Sequence, residues 1–307
     1  MNVCRFFSRT TRALLCITVF AGVRTGALAQ SQLEKTLKQF DANSVQGYIQ
    51  PLADVFGANM NAGFYHSADL APTGLHVAFD IVAMGSNVGD DQKSYTVTPP
   101  AGYPQFKTAT IFGGDKTVVS FPPDTSLKFS GIAPGLVNTT LFPLATPQLT
   151  IGYLYGTSAT IRFVTIPSSV TKDLGTITLF GLGAQHSVSQ YLPDLPVDLA
   201  GGLFYTRFSV GDYIKFNSFA IGAQASKKFS VLAVYGGLQY ENSSMNLQYI
   251  SDSPNAPNSQ VDITLDGANK FRFTVGAGLD LMAVHLFADA NFGSITNFSA
   301  GIGFGGY

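Results

Sequence analysis

Tryptophan is absent from these 307 residues, cysteine occurs twice, and charged side chains make up only 12% of the chain. Soluble globular proteins usually carry about 25% charged residues, so roughly half the normal complement is missing. So little charge excludes an intrinsically disordered chain, and a formal net charge of −1 argues against a nucleic-acid partner. Long apolar runs are missing too. After the N-terminal segment no window holds 18 consecutive apolar residues, which excludes a transmembrane helix, and the mean hydropathy of +0.20 is too modest for a helical membrane bundle. What is abundant is 32 glycines, 25 phenylalanines and 13 tyrosines, a composition that suits strands showing one face to lipid.

Both cysteines, Cys4 and Cys16, fall in residues 1–29, which read as an export signal. Arg5, Arg9 and Arg12 precede the apolar run 13–22 (ALLCITVFAG), and Ala27-Leu28-Ala29 offers a small-x-small cleavage site before Gln30. That run is too short to span a bilayer, which takes about 20 apolar residues. Cleavage there would remove four basic and no acidic residues, leaving 14 against 19, a net −5. The remaining chain has no cysteine, which excludes a disulfide scaffold, a thiolate metal site and a cysteine nucleophile. The expected location is the bacterial outer membrane.

Residues 30–68 have helical spacing. Leu33, Leu37 and Phe40 recur on one side with Glu34, Lys35 and Lys38 opposite. From Ser44 a second stripe carries Val45, Tyr48, Ile49, Leu52, Val55 and Phe56, with Pro51 predicting a kink or restart and Gly57 or Gly63 an end. An amphipathic segment before a barrel can plug its lumen, lie on its periplasmic rim or dock on the membrane surface; Tyr48, Leu52 and Phe56 are the candidate plug residues.

From Thr73 the period becomes two. It runs through 75–83, 152–166, 174–190, 197–209, 214–229, 231–249, 271–281 and 284–292. The clearest case opposes Phe271, Phe273, Val275, Ala277, Leu279 and Leu281 to Arg272, Thr274, Gly276, Gly278 and Asp280. Apolar residues against polar residues or glycine is the membrane-barrel pattern, and the runs match the 9–11 residues a tilted transmembrane strand needs. The expected fold is all-β: an antiparallel transmembrane β-barrel over 69–307, of about 12 strands (range 10–14), preceded by a short helical plug or rim segment. Residues 85–147 differ, with eight of the 15 prolines and a Gly113-Gly114-Asp115 turn between short runs at 107–112 and 116–121. Proline lacks a ladder donor, so this stretch reads as a long extracellular excursion, or as strands interrupted by one.

Asp80, Arg162, Arg272, Asp280, His285 and Asp289 fall on the expected inward face and are the candidate lumen-lining residues. An arginine facing lipid near the midplane would cost roughly 2–4 kcal/mol, which sets their direction. They serve either as a structural network or as selectivity residues. No nucleophile elbow, zinc-protease helix, phosphate loop or dinucleotide fingerprint occurs, so no catalytic, cofactor or metal residue is assigned. His186 lies beside Ser187 and Ser189, which motivates a weak third reading as a barrel hydrolase.

Four segments carry a resemblance. YIQPLADVFGANMNAGFYHSA (48–68), FGLGAQHSVSQYLPDLPVDLAGG (180–202) and FRFTVGAGLDLMAVHLFADANFGSITNFSAGIGF (271–304), together with PQLTIGYLYGTSATIRFV (147–164), resemble an uncharacterised family of Gram-negative outer-membrane barrels. The likeness covers most of the chain after the signal and brings no established activity with it. A more distant similarity is to the long-chain fatty-acid channel class, which also sets a helical hatch before its barrel. This chain is shorter and its hatch motif is not located, so transport is an analogy. The final alternation at 297–307 resembles the C-terminal signal read by the barrel assembly machinery. The implied partners are the lipid bilayer, lipopolysaccharide, that machinery and a small hydrophobic ligand; no nucleic acid is implied. Two functions stay open: a channel or binding protein for small hydrophobic compounds, motivated by inward-phase Val82, Val164, Phe204 and Phe287, or a non-transporting anchor or assembly partner.

Overall fold

The computed structural model describes residues 37–38, 42–70, 73–98, 104–114, 133–171, 175–192, 194–251 and 257–305. The expected export signal, its expected cleavage site and most of the first helical stripe lie outside the described residues. One helix, α1 (Ala42–Met60), precedes thirteen described strands: β1 (His76–Asn87), β2 (Ser94–Val97), β3 (Phe106–Ala109), β4 (Leu141–Leu154), β5 (Thr157–Ile166), β6 (Ile177–Ser187), β7 (Asp198–Val210), β8 (Ile214–Phe229), β9 (Leu232–Ser251), β10 (Ser259–Asp266), β11 (Phe271–Leu281), β12 (Val284–Phe292) and β13 (Asn297–Gly305).

Ten strands form a closed antiparallel cycle: β1, β4 to β9 and β11 to β13, with β1 paired to both β4 and β13. The count is ten where about 12 was expected, inside the range of 10–14. The run at 107–112 accounts for part of the difference. β3 pairs with β2 in a separate two-stranded sheet, and 116–121 lies outside the described residues. β10 is the eleventh member of the sheet but not of the cylinder. It pairs with the far half of β9, from Ser259↔Ser251 to Asp266↔Ser244, while β11 pairs with the near half from Phe271↔Tyr240. Between these pairs four residues of one strand face three of the other, so β10 and β11 occupy one strand position broken by a one-residue bulge.

The wall also holds two prolines expected in the excursion. β4 begins at Leu141, so Pro143 and Pro147 lie inside it, opposite Gly85 and Ile81 of β1. The pairing of β4 with β5 begins only at Gln148. Both prolines therefore sit where β4 has a ladder on one edge, which is where a missing N–H is tolerated. α1 likewise continues through Pro51, where a kink or restart was expected, without restarting, and Gly63 in the left-handed region (φ 65°) follows its last turn.

The outward face is apolar and the inward face polar, the reverse of a water-soluble barrel. Phe79, Phe163, Phe180, Leu203, Phe219, Ile221, Leu238, Phe273, Leu286, Phe298 and Phe304 are all exposed, while Gln148, Thr160, Thr206, Gln239 and Asn291 are buried. So large an apolar surface marks contact with lipid. Its limit can be read along β9: outward Leu232, Val234, Leu238 and Tyr240 give way to Asn242, Ser244, Asn246 and Gln248. The 20 residues of β9 extend to roughly 60 Å at about 3.3 Å each, twice the roughly 30 Å hydrocarbon core. The β9–β10 hairpin thus projects past the apolar band.

The two ends of the cylinder differ. At one, β4–β5, β8–β9 and β11–β12 are joined by two-residue turns in which Tyr155, Ser230 and Met282 adopt φ of 53°, 58° and 58°, and β6–β7 by the longer connection 188–197. The other carries the 88–140 excursion, the β5–β6 connection and the β9–β10 projection. The first is the turn end of the cylinder and the second its loop end.

Candidate functional site

An eight-stranded cylinder is just filled by its own side chains, and the interior widens with strand number. Ten strands leave room for more, and residues 42–70 occupy it. The candidate plug residues lie at the loop end. Tyr48 is fully buried and its Oη donates to the Pro134 carbonyl (2.9 Å), while Ile111 N donates to the Tyr48 carbonyl (3.0 Å), tying α1 to the excursion. Phe56 packs at ring distances of 6.1, 4.7 and 5.0 Å from Phe142 of β4, Phe208 of β7 and Phe216 of β8, and Leu52 borders the same cluster. Asp54, near the β10–β11 break, has its carboxyl held above the usual range by burial, against an opposing hydrogen bond from Gln50 (2.9 Å).

Past Phe56 the plug's main chain gains polar partners on the wall. A helix leaves its last carbonyls without intrahelical partners, and here the wall supplies donors. Arg272 Nη2 donates to the Ala58 carbonyl (2.6 Å), Thr206 Oγ1 to Met60 (3.2 Å), Arg162 Nη2 to Ala62 (2.9 Å), Gln148 Nε2 to Phe64 (3.5 Å) and Gln185 Nε2 to Ser67 (3.2 Å). Asn59 is fixed on three sides: its Nδ2 donates to the Phe142 carbonyl (2.8 Å), and its Oδ1 accepts from Ser86 (2.9 Å) and Asn297. Ser226 of β8 then receives the Ala68 N–H (2.9 Å). Every one of these partners projects from the wall into the lumen.

Of the candidate lumen residues, Asp80, Arg162, Arg272, His285 and Asp289 are buried inside the cylinder. Arg272 Nε lies 3.0 Å from Glu241 Oε2, a buried ion pair across β9 and β11. Asp289 accepts from Tyr235 Oη (2.9 Å), Asn291 and Ser299. His285 does not meet Asp289, from which it is four residues distant along β12. Its Nε2 lies 2.7 Å from Asp80 Oδ1, two strands away. That reach depends on Gly303 of the intervening β13, where an added Cβ would lie 1.8 Å from the His285 ring. Tyr235 similarly lies over Gly276, at 2.3 Å from a Cβ built there. Inward glycines are thus the spaces into which neighbouring large side chains fold, which accounts for the joint excess of glycine and aromatics. Asp280 stands apart: it is half-buried at the turn end and pairs with Lys228.

Sequence reasoning missed Glu241, Asn59, Thr206, Gln148, Gln185 and Asn297. The first cue was available, since all but Asn59 share the inward phase of their strands. Val82, Phe204 and Phe287, expected to give the lumen an apolar path, are buried against Ala62, Phe64, Tyr65 and His66. His186, the hydrolase candidate, faces Thr157 Oγ1 (2.8 Å), Tyr191 Oη (3.0 Å) and Gln190 Nε2 (3.0 Å) at the turn end, hydroxyls and an amide instead of a carboxylate.

A closed, lipid-facing barrel with a segment of its own chain bonded through the lumen defines a plugged membrane β-barrel. The chain belongs to a family of unknown function (DUF6588), whose model matches residues 8–306. No curated protein matches it. Among solved structures it is similar to OmpT of Vibrio cholerae, at 12% identity over 76% of this chain and 100% of that one (TM-score 0.25). It is also similar to Salmonella typhi OmpF in complex with daunomycin (11%, 76% and 98%, TM-score 0.24) and to Pseudomonas aeruginosa OpdO (9%, 78% and 99%, TM-score 0.18). Likenesses this distant assign this chain no cargo and no activity.

Proposed function

We propose that the protein is an outer-membrane β-barrel kept closed by its own residues 42–70, acting as a membrane anchor or assembly partner and not as a standing pore. The carrying observation is the set of five plug carbonyls, from Ala58 to Ser67, that accept hydrogen bonds from wall side chains. Among the described residues, two cavities beside the plug hold about 20 and 30 Å³, room for a water or two and not for a hydrophobic ligand. A third of about 190 Å³ lies at the turn-end mouth, lined by Lys228, Ser230, Asp280, Met282 and His285. The partners on this reading are the bilayer with its lipopolysaccharide and, through the β13 strand, the assembly machinery.

Passage of small hydrophobic compounds is the second reading, favoured by the apolar inward residues Val82, Phe204 and Phe287. It requires the plug to leave. One pair of substitutions separates the two. A Cβ built at Gly57 lies 3.2 Å from the Ser243 Cβ, close to the separation of about 3.8 Å in a disulfide. In planar bilayers the intact protein and the Gly57→Cys/Ser243→Cys variant, oxidised or reduced, should all lack a steady conductance. A conductance in the intact protein that disappears when the disulfide closes and returns with reductant overturns the anchor reading and supports passage.

A further inference from the structure

We propose that the chain enters the lumen from the loop end, so that Leu37, Lys38 and the start of α1 are held at the outer face of the outer membrane and the closed barrel anchors them there. This rests on the reading of the barrel as an outer-membrane protein. The path of the plug is monotonic. Lys38 offers its carbonyl to Ser251 at the tip of the β9–β10 projection (3.4 Å), and Gly47 lies under Tyr95 of the excursion. Gln50 reaches the Asp266 carbonyl (2.8 Å) and Phe56 meets the loop-end residues Phe142, Phe208 and Phe216. Ala58 to Phe64 then contact mid-wall residues, His66 stacks on His285 (5.1 Å), and Ala68 bonds Ser226 near the β8–β9 turn. Five residues separate Leu70 from β1, which starts at the turn end and runs back in the wall.

Outer-membrane barrels keep short turns in the periplasm and long loops outside. The plug therefore runs inward from the outer face, antiparallel to β1. Because β1 and β13 close the cylinder around it, this segment has to be in place before those two strands meet, or be threaded afterwards. Either route carries the start of α1 across the membrane.

Beyond Cys16 the chain is cysteine-free, so single cysteines report position cleanly. Gln46 on α1 and Asn258 in the β9–β10 turn are exposed at the loop end, and Met282 is 96% exposed at the turn end. Treating intact cells with a membrane-impermeant maleimide should label Gln46→Cys and Asn258→Cys, and label Met282→Cys only after the outer membrane is permeabilised. Labelling of Asn258→Cys but not Gln46→Cys in intact cells overturns the proposed path. Labelling of Met282→Cys alone reverses the barrel and overturns it as well. Equal labelling of all three in intact cells removes the outer-membrane reading beneath it.

Discussion

Toward the loop end the plug meets the wall through Val45, Ile49, Phe56, Phe142, Phe208, Phe216, Met245 and Leu247, whereas from Ala58 to Ala68 its main chain is bonded by Arg162, Arg272, Thr206, Gln148, Gln185 and Ser226, while its side chains Phe64 and Tyr65 still pack on Phe204. The apolar half excludes water, and burial at about 25 cal/mol per Å² makes it the larger source of free energy. Apolar contacts are non-directional, however, so a helix seated only on them could slide along the barrel axis. Donors aimed at successive main-chain carbonyls fix one axial position. The apolar half therefore seals the lumen, and the polar half sets the register.

The largest expected effect comes from breaking the polar half at its ion pair. Arg272→Met leaves Glu241 buried with its cation gone and the Ala58 carbonyl without its donor. Removing one partner of a buried pair costs about 3–5 kcal/mol, so the urea midpoint of the barrel in detergent should fall by that equivalent. Arg272→Met with Glu241→Leu should recover most of the loss, because exchanging both charges for apolar groups is close to neutral. A single-variant loss below about 1 kcal/mol would show that the polar half contributes little to holding the plug.

Next in size is Phe56→Ala in the apolar half, which empties a site bounded by three aromatic rings. The expected cost is about 3 kcal/mol. Its sharper readout is leakage. If the loop end is the seal, Phe56→Ala should admit small ions in planar bilayers while Arg272→Met/Glu241→Leu stays closed. The opposite pattern would exchange the roles of the two halves.

Much of this was legible in the sequence because a strand's period of two has a single consequence: one face sees lipid and the other the lumen. β8, β11 and β12 occupy the expected runs 214–229, 271–281 and 284–292 to the residue. β4 escaped notice because Pro143 and Pro147 read as wall-breakers, and only the register with β5 shows that one edge there is unpaired. The inward direction of Asp80, Arg162, Arg272 and Asp289 followed from charge alone. Their partners did not, since His285 meets Asp80 across β13, and no spacing along one strand encodes a contact two strands away. Helical spacing identified α1, but a stripe cannot say whether a helix lies on a rim or in a lumen. That outcome came from strand number, since ten strands leave a space that eight would not.

The smallest of these effects belongs to Arg162, and its size tests why the two buried arginines differ. Arg162 forms no ion pair among the described residues. Its Nε donates to Gln148 Oε1 (2.8 Å), its Nη2 to the Ala62 carbonyl, its Nη1 lies 3.9 Å from the Met84 sulfur, and its guanidinium stacks 3.6 Å from the Phe64 ring centre. Arg162→Met strands two acceptors, at about 1–3 kcal/mol, but also removes a desolvated cation on which Asp80 and Asp289 act without forming an ion pair. The net loss should fall near the bottom of that range and below that of Arg272→Met. Arg162→Lys should not restore it, because a single ammonium cannot reproduce the planar fork that serves Gln148 and Ala62 together. If Arg162→Met destabilises the barrel as much as Arg272→Met, the Glu241 carboxylate is not what separates the two arginines, and the main-chain carbonyls of the plug carry the energy as well as the register.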